Sequence, residues 1–169
     1  PAISSEKPDI IGISIAGERQ LVPGLTLSRL IKQNYPDIHV VAGGYTVTQL
    51  APVLARHAEI FTDYLDSAVL YEGEHPLAEL TECISLGRTL ESVSNLVYHR
   101  NGEIRFNEVK PAQDIDLLPT PSFEGLPLEN YLSPEPVLPV LSSRGCYWGK
   151  CAFCSHNESY RWAYQKRDA

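Results

Sequence analysis

Cys146, Cys151 and Cys154 fall within nine residues at the spacing C-x4-C-x2-C, in the stretch SRGCYWGKCAFCSH. Thiolates gathered this closely hold either an iron–sulfur cluster or a zinc ion. On a four-iron cluster three cysteines leave one iron without a protein ligand, and that vacancy separates a catalytic cluster from an electron carrier with four. With His156 the same cysteines would instead complete a Cys3His zinc site. Unligated thiols are the third possibility. Gly145 and Gly149 give the loop freedom to bring the cysteines together. The remaining cysteine, Cys83, lies among Leu80, Ile84 and Leu86 and reads as a packed core residue.

The elements that must position this loop follow from composition and pattern. The 169 residues are 43% apolar and 21% charged, the balance of a folded globular chain. A net charge of −7, with no cluster of Lys or Arg, argues against a nucleic-acid partner. No apolar run is long enough to span a membrane, and PAISSEKPD lacks the features of a signal peptide. A reducing, cytoplasmic setting is therefore expected, where clustered cysteines are metal ligands or catalytic groups rather than disulfides.

PDIIGISI, HVVAGG and DYLDSAVLYEGE read as strands, each followed by a helical pattern. LTLSRLIKQNY places Leu27, Leu30 and Ile31 on one face. TVTQLAPVLARHAEI places Leu50, Leu54 and His57 on one face, with Pro52 admissible in a first turn. HPLAELTECISLG has Pro76 in its first turn and Gly87 as its stop. The alternation predicts an α/β fold: a partial Rossmann-like, flavodoxin-like parallel sheet of about three strands with flanking helices and right-handed crossovers. NLVYHRNGEIRFNEV is a hairpin around Asn101-Gly102. Residues 111–139 carry seven prolines and read as an extended linker. VLPVLSSRGC then reads as a strand ending at the first cysteine, which puts the motif at the carboxyl end of a strand, where α/β folds bind ligands.

With these residues in place, SRGC-x4-C-A-F-C resembles the cluster loop of the radical S-adenosylmethionine enzymes. The family's usual first spacing is three residues, and this chain has four in YWGK. KPDIIGISI, IKQNYPDIHVVAGGY and YEGEHPLAELTECISLG resemble the cobalamin (B12)-binding domain of that family's cobalamin-dependent branch, and NLVYHRNGEI and DLLPTPSF fit its order. The resemblance implies that residues 1–92 form the C-terminal part of a B12-binding domain, 93–110 a β-hairpin, 111–136 a Pro-rich linker, and 137–169 the start of a radical S-adenosylmethionine (β/α) barrel. It implies a piece of a longer enzyme, inactive by itself.

By the same resemblance Cys146, Cys151 and Cys154 ligate a [4Fe-4S] cluster and Phe153 lies near the adenine of S-adenosylmethionine. The loops Ala16-Gly17, Gly43-Gly44-Tyr45 and Glu72-Gly73-Glu74 contact cobalamin. Reductive cleavage of S-adenosylmethionine, driven by an external one-electron reductant, would serve methylation of a small-molecule or peptide substrate. A cobalamin- or nucleotide-binding α/β module without catalysis, and an α/β domain with a zinc clip, stay open beside it.

Other residues read more plainly. DIHVVAG is one residue too long for the D-x-H-x-x-G cobalt-ligating motif, and His39 begins a strand, so it is not expected to ligate cobalt. His57, His75 and His99 read as surface or satisfied positions, and Glu72 and Glu74, on either side of a glycine, as solvated loop residues, with acid/base groups as the alternative. Tyr147 and Trp148 either shield a cluster or pack the loop.

Overall fold

The computed structural model describes residues 2–110, 112–156 and 164–168. They fall into two compact units, Pro1–Ala112 and Gln113–Ala169.

In the first unit a short helix α1 (Ala2–Glu6) precedes β1 (Ile10–Ser14), and helix α2 (Leu21–Asn34) leads to β2 (His39–Gly43). β1 and β2 are parallel, in register from Ile10 opposite His39 to Ser14 opposite Gly43. After helices α3 (Tyr45–Gln49), α4 (Ala51–Leu54) and α5 (Glu59–Asp63), strand β3 (Ser67–Val69) adds parallel to β2. Helix α6 (Glu74–Ser85) then returns the chain to β4 (Leu96–Arg100) and β5 (Glu103–Phe106).

The expected parallel three-strand α/β sheet is present, but the hairpin is not a separate appendage. β4 pairs antiparallel with β3 and completes a five-stranded sheet in the order β1-β2-β3-β4-β5. The reason lies in Leu96, Val97 and Tyr98, all buried. A strand apolar on both faces must lie inside a sheet, between two neighbours. Asn101 (φ 53°) and Gly102 (φ 83°) form the tight turn that their types signal.

The sheet packs on both sides. Val40, Ala42, Ala68 and Val97 share one core with Ile31 of α2, Val47, Leu54 and Phe61. Val41, Val69, Leu96 and Tyr98 share the other with Leu80 and Cys83 of α6, so Cys83 is a core residue as expected.

Two helix readings change. On α2, Ile31 is buried but Leu27 and Leu30 stand 50% and 51% exposed. The inward stripe is Leu21, Leu25, Ser28 and Ile31 instead. Ser28 tolerates full burial because its hydroxyl donates to the Gly24 carbonyl at 2.9 Å, and Gly24 lets the helix seat against Ile15, which a Cβ there would meet at 3.0 Å. The second helical segment breaks into α3, α4 and α5, with Pro52 in the first turn of α4. Leu54 is buried, whereas His57 is exposed and bonded to Glu59 at 2.6 Å.

Helix α6 is pinned to the hairpin by one carboxylate. Glu79 accepts the Ser94 N–H and hydroxyl, both at 2.6 Å, the Lys110 ammonium at 2.7 Å and an ion pair from His75 at 3.0 Å. Burial alone would raise its pKa. The bonds from Lys110 and Ser94 outweigh that and hold it at about 2. A depressed carboxylate pKa stabilises the fold above its unfolded value, near 4.5, and the gain disappears as pH falls through about 2. Glu79→Gln should therefore lower stability at neutral pH by about 2–3 kcal/mol and flatten the acid limb of a pH series of thermal melts. An unchanged acid limb would refute the assignment.

In the second unit, Pro-rich chain carries two 3-10 turns, Ile115–Leu117 and Leu128–Asn130. The strand expected across VLPVLSSRGC contracts to β6 (Ser143–Arg144), which pairs antiparallel with β7 (Gln165–Lys166). Val137, Leu138, Val140 and Leu141 lie exposed, with no ladder to enter among the described residues. Three bonds fasten β7 and the residues after it to the first turn: the Ile115 N–H to Gln165 Oε1, the Arg167 guanidinium to the Leu118 carbonyl, and the Asp168 N–H to Asp116 Oδ1.

Candidate functional site

Two sites emerge, one in each unit. In the first, the carboxyl ends of the parallel strands open onto a cleft of about 430 Å³. Gly12, Ile13 and Ser14 come from β1, and Val41, Ala42, Gly43 and Gly44 from β2 and its turn. Val69, Tyr71, Gly73, Glu74 and Leu77 come from β3, its loop and α6. Carboxyl ends of parallel strands are where open α/β sheets bind ligands, and the volume is that of an ordinary ligand site.

Glycine makes the cleft possible. Gly44 has φ +102°, and a Cβ there would sit 2.8 Å from the Ile15 carbonyl oxygen. The Thr46 N–H donates to that same carbonyl at 3.1 Å, so the turn after β2 is locked against the end of β1. Gly12 differs: a Cβ there would meet only Val41, at 4.0 Å, so its missing side chain leaves room for a ligand rather than for protein.

Of the loop residues expected at this edge, Gly43, Gly44, Gly73 and Glu74 line the cleft and Ala16, Gly17, Tyr45 and Glu72 are not among the lining residues. The Ala16 and Gly17 amides donate to the Gln20 side chain at 2.9 and 3.1 Å, which ties that loop to the turn before α2. Tyr45 opens α3, with its hydroxyl accepting from Gln49 at 3.1 Å. Gly12, Ser14 and Tyr71 were missed. Gly12 and Ser14 alternate along one face of an otherwise isoleucine-rich strand, a legible signal of ligand approach.

His39 sits at the start of β2, at the end remote from Gly43, with Nε2 2.8 Å from the Ser67 hydroxyl. Burial lowers its pKa, Asp66 opposes that and Lys32 adds to it.

The second site is the cysteine loop. Cys146 follows β6 and is half-buried, while Cys151 and Cys154 are exposed, and all are free thiols. The amides of Gly149 and Trp148 donate to Cys146 and pull its thiol pKa down, against a smaller opposing effect of burial. Gly145 (φ 78°) and Gly149 (φ 61°) shape the turn. Phe153 is 93% exposed. Tyr147 meets Tyr164 edge-on at 6.2 Å, and the Lys150 ammonium lies 5.7 Å from the Trp148 ring. Among the described residues no three His, Cys, Asp or Glu side chains stand together as a metal-binding group, so the loop presents the thiols without gathering them. The donor set still fits a cluster, since such sites are rarely preformed and are drawn together by the metal itself.

The five-stranded sheet with its open carboxyl edge has the fold found in solved cobalamin-dependent radical S-adenosylmethionine enzymes, as the resemblance implied. The structure of one of them, OxsB with aqua-cobalamin and S-adenosylmethionine bound, matches with a TM-score of 0.70 and 21% identity, over 99% of this chain and 22% of that one. An uncharacterized methyltransferase of Pyrococcus horikoshii is 33% identical over 159 residues, 92% of this chain and 33% of its own length. The 4'-phospho-dehydrooxetanocin synthase of Priestia megaterium is 25% identical over 163 residues, 92% of this chain and 20% of its own. The chain thus spans a third or less of these relatives. No family model matches it. No helix among the described residues is long and apolar enough to cross a membrane.

Proposed function

We propose that this chain is a piece of a cobalamin-dependent radical S-adenosylmethionine enzyme that methylates a natural-product or peptide substrate in a reducing cytoplasm. In this reading the cleft holds part of a corrinoid, and Cys146, Cys151 and Cys154 hold a [4Fe-4S] cluster. The observation that carries it is the pairing, in one chain, of a glycine-walled cleft at the sheet's carboxyl edge with three free thiols on a loop after a strand.

When bound, the cluster supplies an electron that cleaves S-adenosylmethionine to a radical, and the corrinoid supplies the methyl group. The chain's own residues do the rest. Cys146, Cys151 and Cys154 would hold the cluster and leave one iron without a protein ligand, open to S-adenosylmethionine. The amides of Gly149 and Trp148 hold Cys146 toward its thiolate, the form that ligates. Phe153, exposed beside Cys154, offers its ring to the adenine. Gly12, Gly43 and Gly44 let the macrocycle approach backbone.

The cleft taken by itself would also suit a second reading, a cobalamin- or nucleotide-binding α/β module without catalysis. Metal analysis of anaerobically reconstituted chain separates them. Iron near about four per chain is expected. Stoichiometric zinc with little iron would replace the cluster by a Cys3His clip, and neither metal would leave the binding module.

A further inference from the structure

We propose that Tyr71 is the positioning residue of the cleft, the surface against which the flat conjugated part of the bound group packs; the inference rests on the corrinoid reading of that cleft. Tyr71 has φ +64°, in the left-handed region that bulky side chains rarely enter. Lys7, Asn95 and Asn101 share the sign of φ, but the asparagines are types that tolerate it and Lys7 is exposed chain before β1, remote from the cleft lining. Tyr71 is also the one aromatic side chain among the described residues that line the cleft.

The conformation is held from outside. The Tyr71 N–H donates to Thr48 Oγ1 at 2.7 Å, and the buried Thr48 reaches the Gly44 carbonyl at 3.4 Å. One threonine thereby couples the turn after β2 to the loop after β3, the two rims of the cleft. Immediately before Tyr71, the Leu70 N–H is bound to the Asn95 carbonyl at 2.9 Å, so the left-handed residue marks where the chain leaves the sheet and turns along the cleft. Glycine would adopt this φ without strain. What the strained residue provides is a ring, beside walls where Gly12, Gly43 and Gly44 supply no side chain. Local strain held by surrounding structure is the mark of a functional position, and an aromatic face beside a bare backbone wall is complementary to a flat π-system. A corrinoid carries two such systems, the macrocycle and the base of its nucleotide tail.

The test titrates the chain with hydroxocobalamin and with dicyanocobinamide, which lacks the tail. Variants are Tyr71→Phe, which keeps the ring, and Tyr71→Gly and Tyr71→Asn, which remove it while accepting the left-handed backbone. Tyr71→Phe should bind like the parent, and the two ring-free variants about 10-fold more weakly. Tyr71→Gly should melt above Tyr71→Ala, because both lose the ring and only glycine escapes the strain. A loss seen with both ligands puts the ring against the macrocycle, and a loss confined to hydroxocobalamin puts it against the tail base. Undiminished binding by both ring-free variants would overturn the role of Tyr71 and leave the cleft reading standing. A parent chain that binds neither ligand would overturn the cleft reading and this inference with it.

Discussion

Gly44→Ala is expected to destabilise the chain by about 3 kcal/mol and to abolish ligand binding in the cleft. Two penalties combine at this position. The backbone sits at φ +102°, where any Cβ is strained, and the new methyl would lie 2.8 Å from the Ile15 carbonyl oxygen and 2.9 Å from its carbon. The obstacle is backbone at the end of β1, not a flexible side chain that can swing away. Relief requires the turn after β2 to lift, which breaks the Thr46 N–H bond to the same carbonyl. For a chain of this size the cost lowers the melting temperature by about 10 °C. Gly73→Ala is the matched control, since a Cβ there meets nothing within 4 Å and that glycine is also in the cleft wall. Equal melting temperatures for the two variants would refute the steric account.

Cys146→Ala should remove most of the iron from anaerobically reconstituted chain, with the visible absorption of the cluster, and leave the melting of the first unit unchanged. Cys146 is the thiol closest to the strand, half-buried and held toward thiolate by two amides, so in the proposed cluster site it would be the anchor from which the exposed Cys151 and Cys154 close on the metal. Two thiolates alone do not hold a four-iron cluster. Cys83→Ala is the internal comparison: it lies in the core beneath α6, so it should cost stability and retain iron. Retention of iron by Cys146→Ala would place the cluster elsewhere or nowhere.

Much of this molecule could be read directly from residue order. The parallel strands announced themselves because short isoleucine- and valine-rich runs have few other uses, and Asn101-Gly102 because both residues accept positive φ. The facing of α2 was not legible. A count of large apolar residues favours Leu27 and Leu30, whereas the seated stripe uses Gly24 and Ser28, small residues whose value depends on what lies opposite. The place of β4 inside the sheet was signalled by three consecutive buried residues, yet hairpin reading stops at the turn. In the cleft, loop glycines were legible as points of close approach, and Tyr71 was not, because φ is a property of how Thr48 grips the chain and not of tyrosine. The three cysteines were plain from spacing alone. Their separation in space was not, because spacing along the chain sets no distance between side chains.

The fastening of β7 and the residues after it to the linker has a kinetic meaning. The bonds from Gln165, Arg167 and Asp168 reach back 50, 49 and 52 residues, so the cysteine loop is enclosed in one long ring of chain. Closing such a ring costs entropy before any contact rewards it, and three bonds repay little of that cost. Because the bonds at Ile115 and Asp168 close the same ring, their amides are expected to exchange with solvent together, at a free energy below that of global unfolding. Metal insertion would need no opening of this ring, because Cys151 and Cys154 are already exposed and Cys146 is half-buried; a cluster seated on them would add a second, tighter closure inside it.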